Sequence, residues 1–467
     1  MKKIRVLSLL LALALCVSLL LAAGAQDGGT LVYGSGDYTR INPAMDEHCE
    51  INVLLFDGLT DHDGENNIIP RLARSWEYDE EAMTYTFHLE QGVKWHDGAE
   101  FTAEDVKFTI EAIMNPDNGS ENAPNYEDVE EITVPDPYTV VFRLSAPNYA
   151  FLEYMTMAIL PKHLLEGEDM QQSDFFRAPV GTGPYKLTEW DAGQAIILDK
   201  NEDYFAGAAK IGRIIFKIVT DDNVKALQLR SGELNLSQVT PKDAALFEND
   251  GVHTVYDETT SDYRGILYNF WNEYWQENAD LIPAISCLID RQQIVDAVLL
   301  GKGEVAYSPL QRNIYNDPSV EHYDYDPDRA AQLFEAAGCE KDAEGYWCRG
   351  GARIGFVLNA TPGDQVRIDL AQIAAQQLRA GGLEVTANVP AGGIDWGTQQ
   401  CCIIGWGSPF DADDHTYKVF GTDKGANYSG YSNALVDKAL TQARQVSDPQ
   451  ARREAYSEFQ HALAQSP

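Results

Sequence analysis

Apolar and polar positions alternate in short blocks along this chain, and the period of the blocks changes near residue 265. Before it, strand signals dominate. A strand is expected over 30–33. Tyr85, Phe87 and Leu89 alternate with Thr86 and His88, the period of a half-buried strand. Thr102 and Asp105 stand in capping-box spacing ahead of a helix over 103–114, and Asn115-Pro116-Asp117-Asn118-Gly119 ends it. A turn at Asp136-Pro137 leads to a strand over 138–144, so that 69–144 reads as an inserted α/β unit. Further strands are expected over 185–190, 195–198 and 212–219, and a helix over 222–229.

After Gly265 strands and helices alternate. Helices are predicted over 282–299, 328–337 and 367–380. In the last, Leu370, Ile373, Ala374 and Leu378 share a face, and Gly381-Gly382 stops the helix. Leu383, Val385, Ala387 and Val389 alternate as a strand. Cys401-Cys402-Ile403-Ile404 is a continuous apolar run, as in a strand buried on both faces. The chain stops at Pro467 within an amphipathic helix over 449–464, which reads as a sequence cut short. Internal repeats and Pro/Ser-rich linkers are absent from the sequence, so the domains are expected to be packed lobes.

The N-terminus changes the picture of the compartment. Lys2, Lys3 and Arg5 precede an apolar run over 6–21 and the small residues Ala22, Ala23, Gly24 and Ala25, the pattern of a secretory signal peptide over 1–25. The run is shorter than a membrane span. Ala25 stands where a lipid-anchored protein would need cysteine, and Cys16 lies inside the run, so ordinary cleavage fits better. The product is expected in the periplasm or at the outer face of the cytoplasmic membrane. The net charge of −37 would repel nucleic acid and anionic lipid; it reads first as solubility outside the cell, with attraction of a cationic ligand as the sharper alternative. The cysteines lack zinc-site spacing; Cys339 and Cys348 flank a turn that a disulfide could close, and Cys401 and Cys402 read as buried small side chains.

A search for catalysis finds nothing specific. Gly181-Thr182-Gly183 precedes Pro184 and a strand, not the helix N-terminus that a phosphate loop needs. His96 sits in a turn and reads as structural. No nucleophile, metal set or cofactor loop emerges; no enzyme, metal or cofactor is expected. The 23 Tyr and 8 Trp suit a cleft that holds a ligand by stacking and hydrogen bonding, although most must be core. The segment 403–415 leaves the end of a buried strand, where ligands of open α/β sheets bind. There Trp406 could pack on a ligand, and Asp411 or Asp413 could accept an ammonium. The bland alternative is a capped acidic loop. Tyr33, Arg40 and Asn42 occupy a loop that could face the same cleft, although a plain structural loop is the leading reading.

The order of motifs resembles family 5 of the extracellular solute-binding proteins of ABC importers, with oligopeptide-, dipeptide- and nickel-binding members. The matching stretches are Phe56-Asp57-Gly58-Leu59, the segment 69–76, Val93-Lys94-Trp95-His96-Asp97-Gly98, the segments 101–106 and 180–185, Asn201-Glu202-Asp203-Tyr204-Phe205, and the segments 229–234 and 289–294. The resemblance implies an α/β, two-lobed, type II-like clamp with an extra inserted α/β subdomain. Lobe I would comprise 27–60 and 180–262, the insert 61–179, and lobe II 263–467, with the family's C-terminal return to lobe I missing. It implies an exported monomer that closes on a short peptide or other small polar solute and delivers it to the membrane permease of an ABC importer. A chelated metal such as nickel is the alternative ligand, and a secreted enzyme a remote third. The family's ammonium-binding Asp matches Asp411 by loop only, its carboxylate-binding Arg has no match in 358–362, and its nickel-contacting His falls near Lys424.

Overall fold

The computed structural model describes residues 28–45, 50–408 and 410–466. The expected leader 1–25, Cys16 and Cys49 lie outside the described residues. The first lobe is built on a five-stranded sheet. In it β1 (Thr30–Ser35) runs parallel to the central strand β2 (Arg213–Ile218) on one side and to the short edge strand Leu236–Ser237 on the other. β2 continues into the antiparallel strands Ala195–Lys200 and Tyr185–Asp191.

Between β1 and Tyr185 the chain builds the insert, a four-stranded antiparallel sheet ordered Ala73–Asp79, Thr84–Leu89, Thr139–Leu144, Val129–Asp136. Helix α1 (Ala103–Met114) has the bounds its pattern predicts, because the capping box forms: the Thr102 amide donates to Asp105 Oδ2 at 2.9 Å. Apolar packing runs without a break from Ile41 and Leu55 through Phe87 and Phe142 to Ile196 and Phe216. Insert and first lobe therefore share one core, and close packing makes them a single unit.

The second lobe holds β3 (Gly265–Tyr268), β4 (Gly355–Asn359), β5 (Glu384–Asn388) and β6 (Cys401–Ile404), in the spatial order β3-β6-β4-β5. β4 runs parallel to β5 and β6, and β3 pairs antiparallel with β6. All four residues of β6 are buried, as its apolar run requires. α2 (Gln365–Ala380) lays Ala371, Ala374, Ala375 and Leu378 into this core. α3 (Asp413–Phe420), α4 (Ala434–Gln445) and α5 (Pro449–Gln465) form a separate core around Val436, Tyr456 and Phe459. No described helix is long and apolar enough to cross a membrane.

Two expectations are corrected. The helix predicted over 282–299 is broken into Ile282–Ser286 and Arg291–Val298. The Asp290 carboxylate accepts the Gln293 amide at 2.9 Å and starts a new helix where an uninterrupted pattern had been read. Cys339 and Cys348 are free thiols. In their hairpin Cys339 opposes Arg349 and Cys348 opposes Glu340, so the two cysteines point to opposite faces.

Candidate functional site

The parallel strands of both lobes point their C-terminal ends at one another. β2 runs on into Val219 and Thr220, and a Cβ on Gly363, which follows β4, would stand 3.8 Å from the Thr220 carbonyl oxygen. Lys302 of the second lobe pairs with Glu248 and with Asp257, each at 2.7 Å. The space between strand ends is where open α/β sheets bind ligands.

The second lobe's wall here is Gly405-Trp406-Gly407, directly after β6. The segment 261–263 passes so close that a Cβ on Gly405 would fall 1.5 Å from the Tyr263 carbonyl, and one on Gly407 2.3 Å from Asp262 Cα. Only glycine fits on either side of the tryptophan. The Tyr263 amide donates to the Trp406 carbonyl at 3.0 Å and fixes the loop. Half-buried Trp406 stacks at 5.9 Å on Tyr428, which stacks at 5.0 Å on Trp396. The Tyr428 hydroxyl donates to Glu121 of the insert. A cavity of about 870 Å³ reaches Trp406 and runs past Tyr263, Arg264, Tyr307 and Tyr431 along the free edge of β3.

The carboxylates expected to receive a ligand ammonium are engaged within the protein. Asp411 accepts both Arg452 terminal nitrogens, at 2.5 and 2.7 Å, and the Asp413 amide at 2.8 Å. Asp413 is buried against Arg444, with Nη2 to Oδ2 at 2.6 Å, and accepts the Tyr154 hydroxyl. Burial opposes the Arg444 charge, but Asp413 overrides it and holds the guanidinium protonated. Asn42 is also buried, its amide donating to the Met170 carbonyl at 2.8 Å. Arg40 donates to Gln171. Tyr33 is half-buried and donates to Glu50 at 2.9 Å; burial and the Glu50 charge push its phenol pKa up. Of the sequence-singled residues, Trp406 alone has both a packed back and a face on the cavity.

The remaining singled-out histidines have structural partners. His96 accepts the Gly181 amide at Nδ1 (3.1 Å), and its Nε2 faces the Gly183 carbonyl at 3.0 Å; burial lowers its pKa to about 4. His415 is buried with Nε2 3.3 Å from the Pro309 carbonyl. Lys424, near the position of the family's nickel-contacting histidine, pairs with Glu127.

Contacts between insert and second lobe went unread in the sequence because they join residues hundreds of positions apart. Arg444 Nη1 donates to the Pro124 carbonyl at 3.0 Å, and the Tyr149 amide donates to the Arg444 carbonyl at 2.9 Å. Tyr417 and Tyr428 donate to Glu127 and Glu121, and the Phe410 ring lies 3.7 Å over His62. These bonds hold the lobes together with strand ends apposed.

Two α/β lobes that approach at Thr220 and Gly363, the second carrying an aromatic-walled cavity, define a clamp of the solute-binding class. The chain belongs to the bacterial extracellular solute-binding proteins, family 5, whose description matches residues 67–428. It is 30% identical to the oligopeptide-binding protein AppA of Bacillus subtilis over 95% of this chain and 86% of that protein. The di/tripeptide-binding protein 1 of Pseudomonas aeruginosa is 26% identical over 88% of this chain and 81% of its own. Among solved structures, NikZ from Campylobacter jejuni in complex with Ni(L-His) superposes with a TM-score of 0.89 at 33% identity, covering 94% of this chain and 91% of that one. Bacillus subtilis AppA in complex with a nonapeptide gives 0.87 at 29%, covering 94% and 92%. These relatives are solute-binding proteins rather than enzymes.

Proposed function

We propose that the protein captures short peptides between its lobes outside the cytoplasm and presents them, as a monomer, to the permease of an ABC importer. The observation that carries this reading is the aromatic wall at Trp406, standing at the end of β6 and braced by the insert through Tyr428 and Glu121. A ligand touching both lobes binds the closed form better than the open one, and so shifts the population toward closure. The same reading places the hinges near residues 60, 180 and 262.

A chelated metal is the second reading. The likeness to a structure holding Ni(L-His) favours it, as does the pairing of Asp411 with Arg452, which already neutralises the charge a peptide ammonium would seek there. A thermal-shift screen separates the two, using di- to hexapeptides, free amino acids and nickel with and without histidine. Anything bound tightly by the folded state raises the melting temperature. A rise with peptides supports capture; a rise with nickel-histidine alone moves the assignment to chelates.

A further inference from the structure

At the C-terminal end of β1 three hydroxyls converge on one carboxylate. Tyr33 donates to Glu50 Oε2 at 2.9 Å, while Ser35 and Tyr38 donate to Oε1 at 3.0 and 3.1 Å. The residue is exposed, and among the described residues no cationic side chain pairs with it. Its surroundings differ from those of Asp411 and Asp413, each neutralised by an arginine.

The place is the cleft side of the first lobe. Ser35 lies opposite Ile218 at the end of β2, and the Val219 amide donates to the Ser35 carbonyl at 2.8 Å. The next residue, Thr220, is the one that approaches Gly363 of the second lobe. Three neutral donors orient the carboxylate without cancelling its charge. A carboxylate offers about four acceptor positions, so Oε2, with a single donor, keeps one open. A charge-assisted hydrogen bond there would be about twice as strong as a neutral one. Lobe closure would lower the local dielectric and strengthen it further.

We infer that Glu50, held by Tyr33, Ser35 and Tyr38, is the first lobe's anchor for a cationic group of the bound solute: an α-ammonium, a basic side chain or a cationic chelate. The inference rests on the reading of the cleft as the solute site, and it moves the anionic contact from the second lobe to the first.

The test is calorimetric titration of wild-type and Glu50→Gln protein with four probes: tri-alanine, N-acetyl-tri-alanine, N-acetyl-Ala-Lys-Ala and the nickel(II)–L-histidine complex. Wild type is expected to prefer a cationic probe over N-acetyl-tri-alanine by about tenfold or more, the range for hydrogen bonds to charged groups. Glu50→Gln should abolish that preference and leave the affinity for the neutral probe unchanged. A preference that survives Glu50→Gln overturns the anchor and leaves peptide capture standing. Binding of nickel–histidine alone refutes peptide capture; the anchor then stands if Glu50→Gln weakens that binding and falls if it does not. A wild-type protein that takes none of the cationic probes overturns the anchor.

Discussion

Replacing Arg444 by methionine should be among the most damaging single changes in the second lobe. The guanidinium is 2% exposed and Asp413 0%. Arg444 reaches Asp413 through Nη2 at 2.6 Å and Nε at 3.1 Å, donates to the Pro124 carbonyl, and lies 3.4 Å over the Tyr417 ring. Methionine fills much of the same volume but leaves the Asp413 carboxylate buried without its cation. Breaking a buried pair from one side costs about 3–5 kcal/mol. A lobe of about 200 residues unfolds with an entropy near 0.4 kcal/mol per degree, so its melting midpoint should fall by about 7–12 °C. Because Arg444 also holds the insert through Pro124 and Tyr149, the loss should loosen the closed form as well. Differential scanning calorimetry of wild type, Arg444→Met and the double variant Arg444→Met/Asp413→Leu decides the matter. The double variant should recover much of the loss, since apolar replacement of a whole buried pair is often neutral. A single variant melting within about 2 °C of wild type, or a double variant no more stable than the single, would refute the reasoning.

Three further outcomes are expected. His96 is bonded in its neutral form, and its pKa is lowered from 6.5 to about 4 by burial. The stability it contributes is complete above pH 6.5 and is lost as pH falls toward 4. The loss is at most about 3 kcal/mol; the difference between wild-type and His96→Gln melting curves over this range should shrink with acidity, and a constant difference would contradict it. Gly405→Ala should destabilise the protein and move Trp406, because its Cβ would overlap the Tyr263 carbonyl, whereas Gly397→Ala, with its nearest neighbour at 3.5 Å, should melt like wild type. Alkylation of unfolded, unreduced protein should label both Cys339 and Cys348; a crosslinked peptide containing the two would show that the hairpin register is wrong.

Local patterns determined local structure. The capping box at Thr102 and Asp105 set α1, and the apolar run 401–404 read directly as β6, because each signal lies within a few residues of what it specifies. The ordered motifs along the chain identified the family and with it the two-lobed clamp. The place of Trp406 directly after β6 was legible too, but the close approach that requires glycine on either side of it appears only in the fold. The sequence could not show which carboxylates were already taken. Asp411 and Arg452 are 41 positions apart, and Asp413 meets Tyr154 across 259. Nor does any pattern bring Glu50 to Tyr33, Ser35 and Tyr38, which stand 17, 15 and 12 positions away. Charge is a property of composition, but its neutralisation depends on partners within a few ångströms. In this protein the tertiary fold brings those partners from distant segments of the chain.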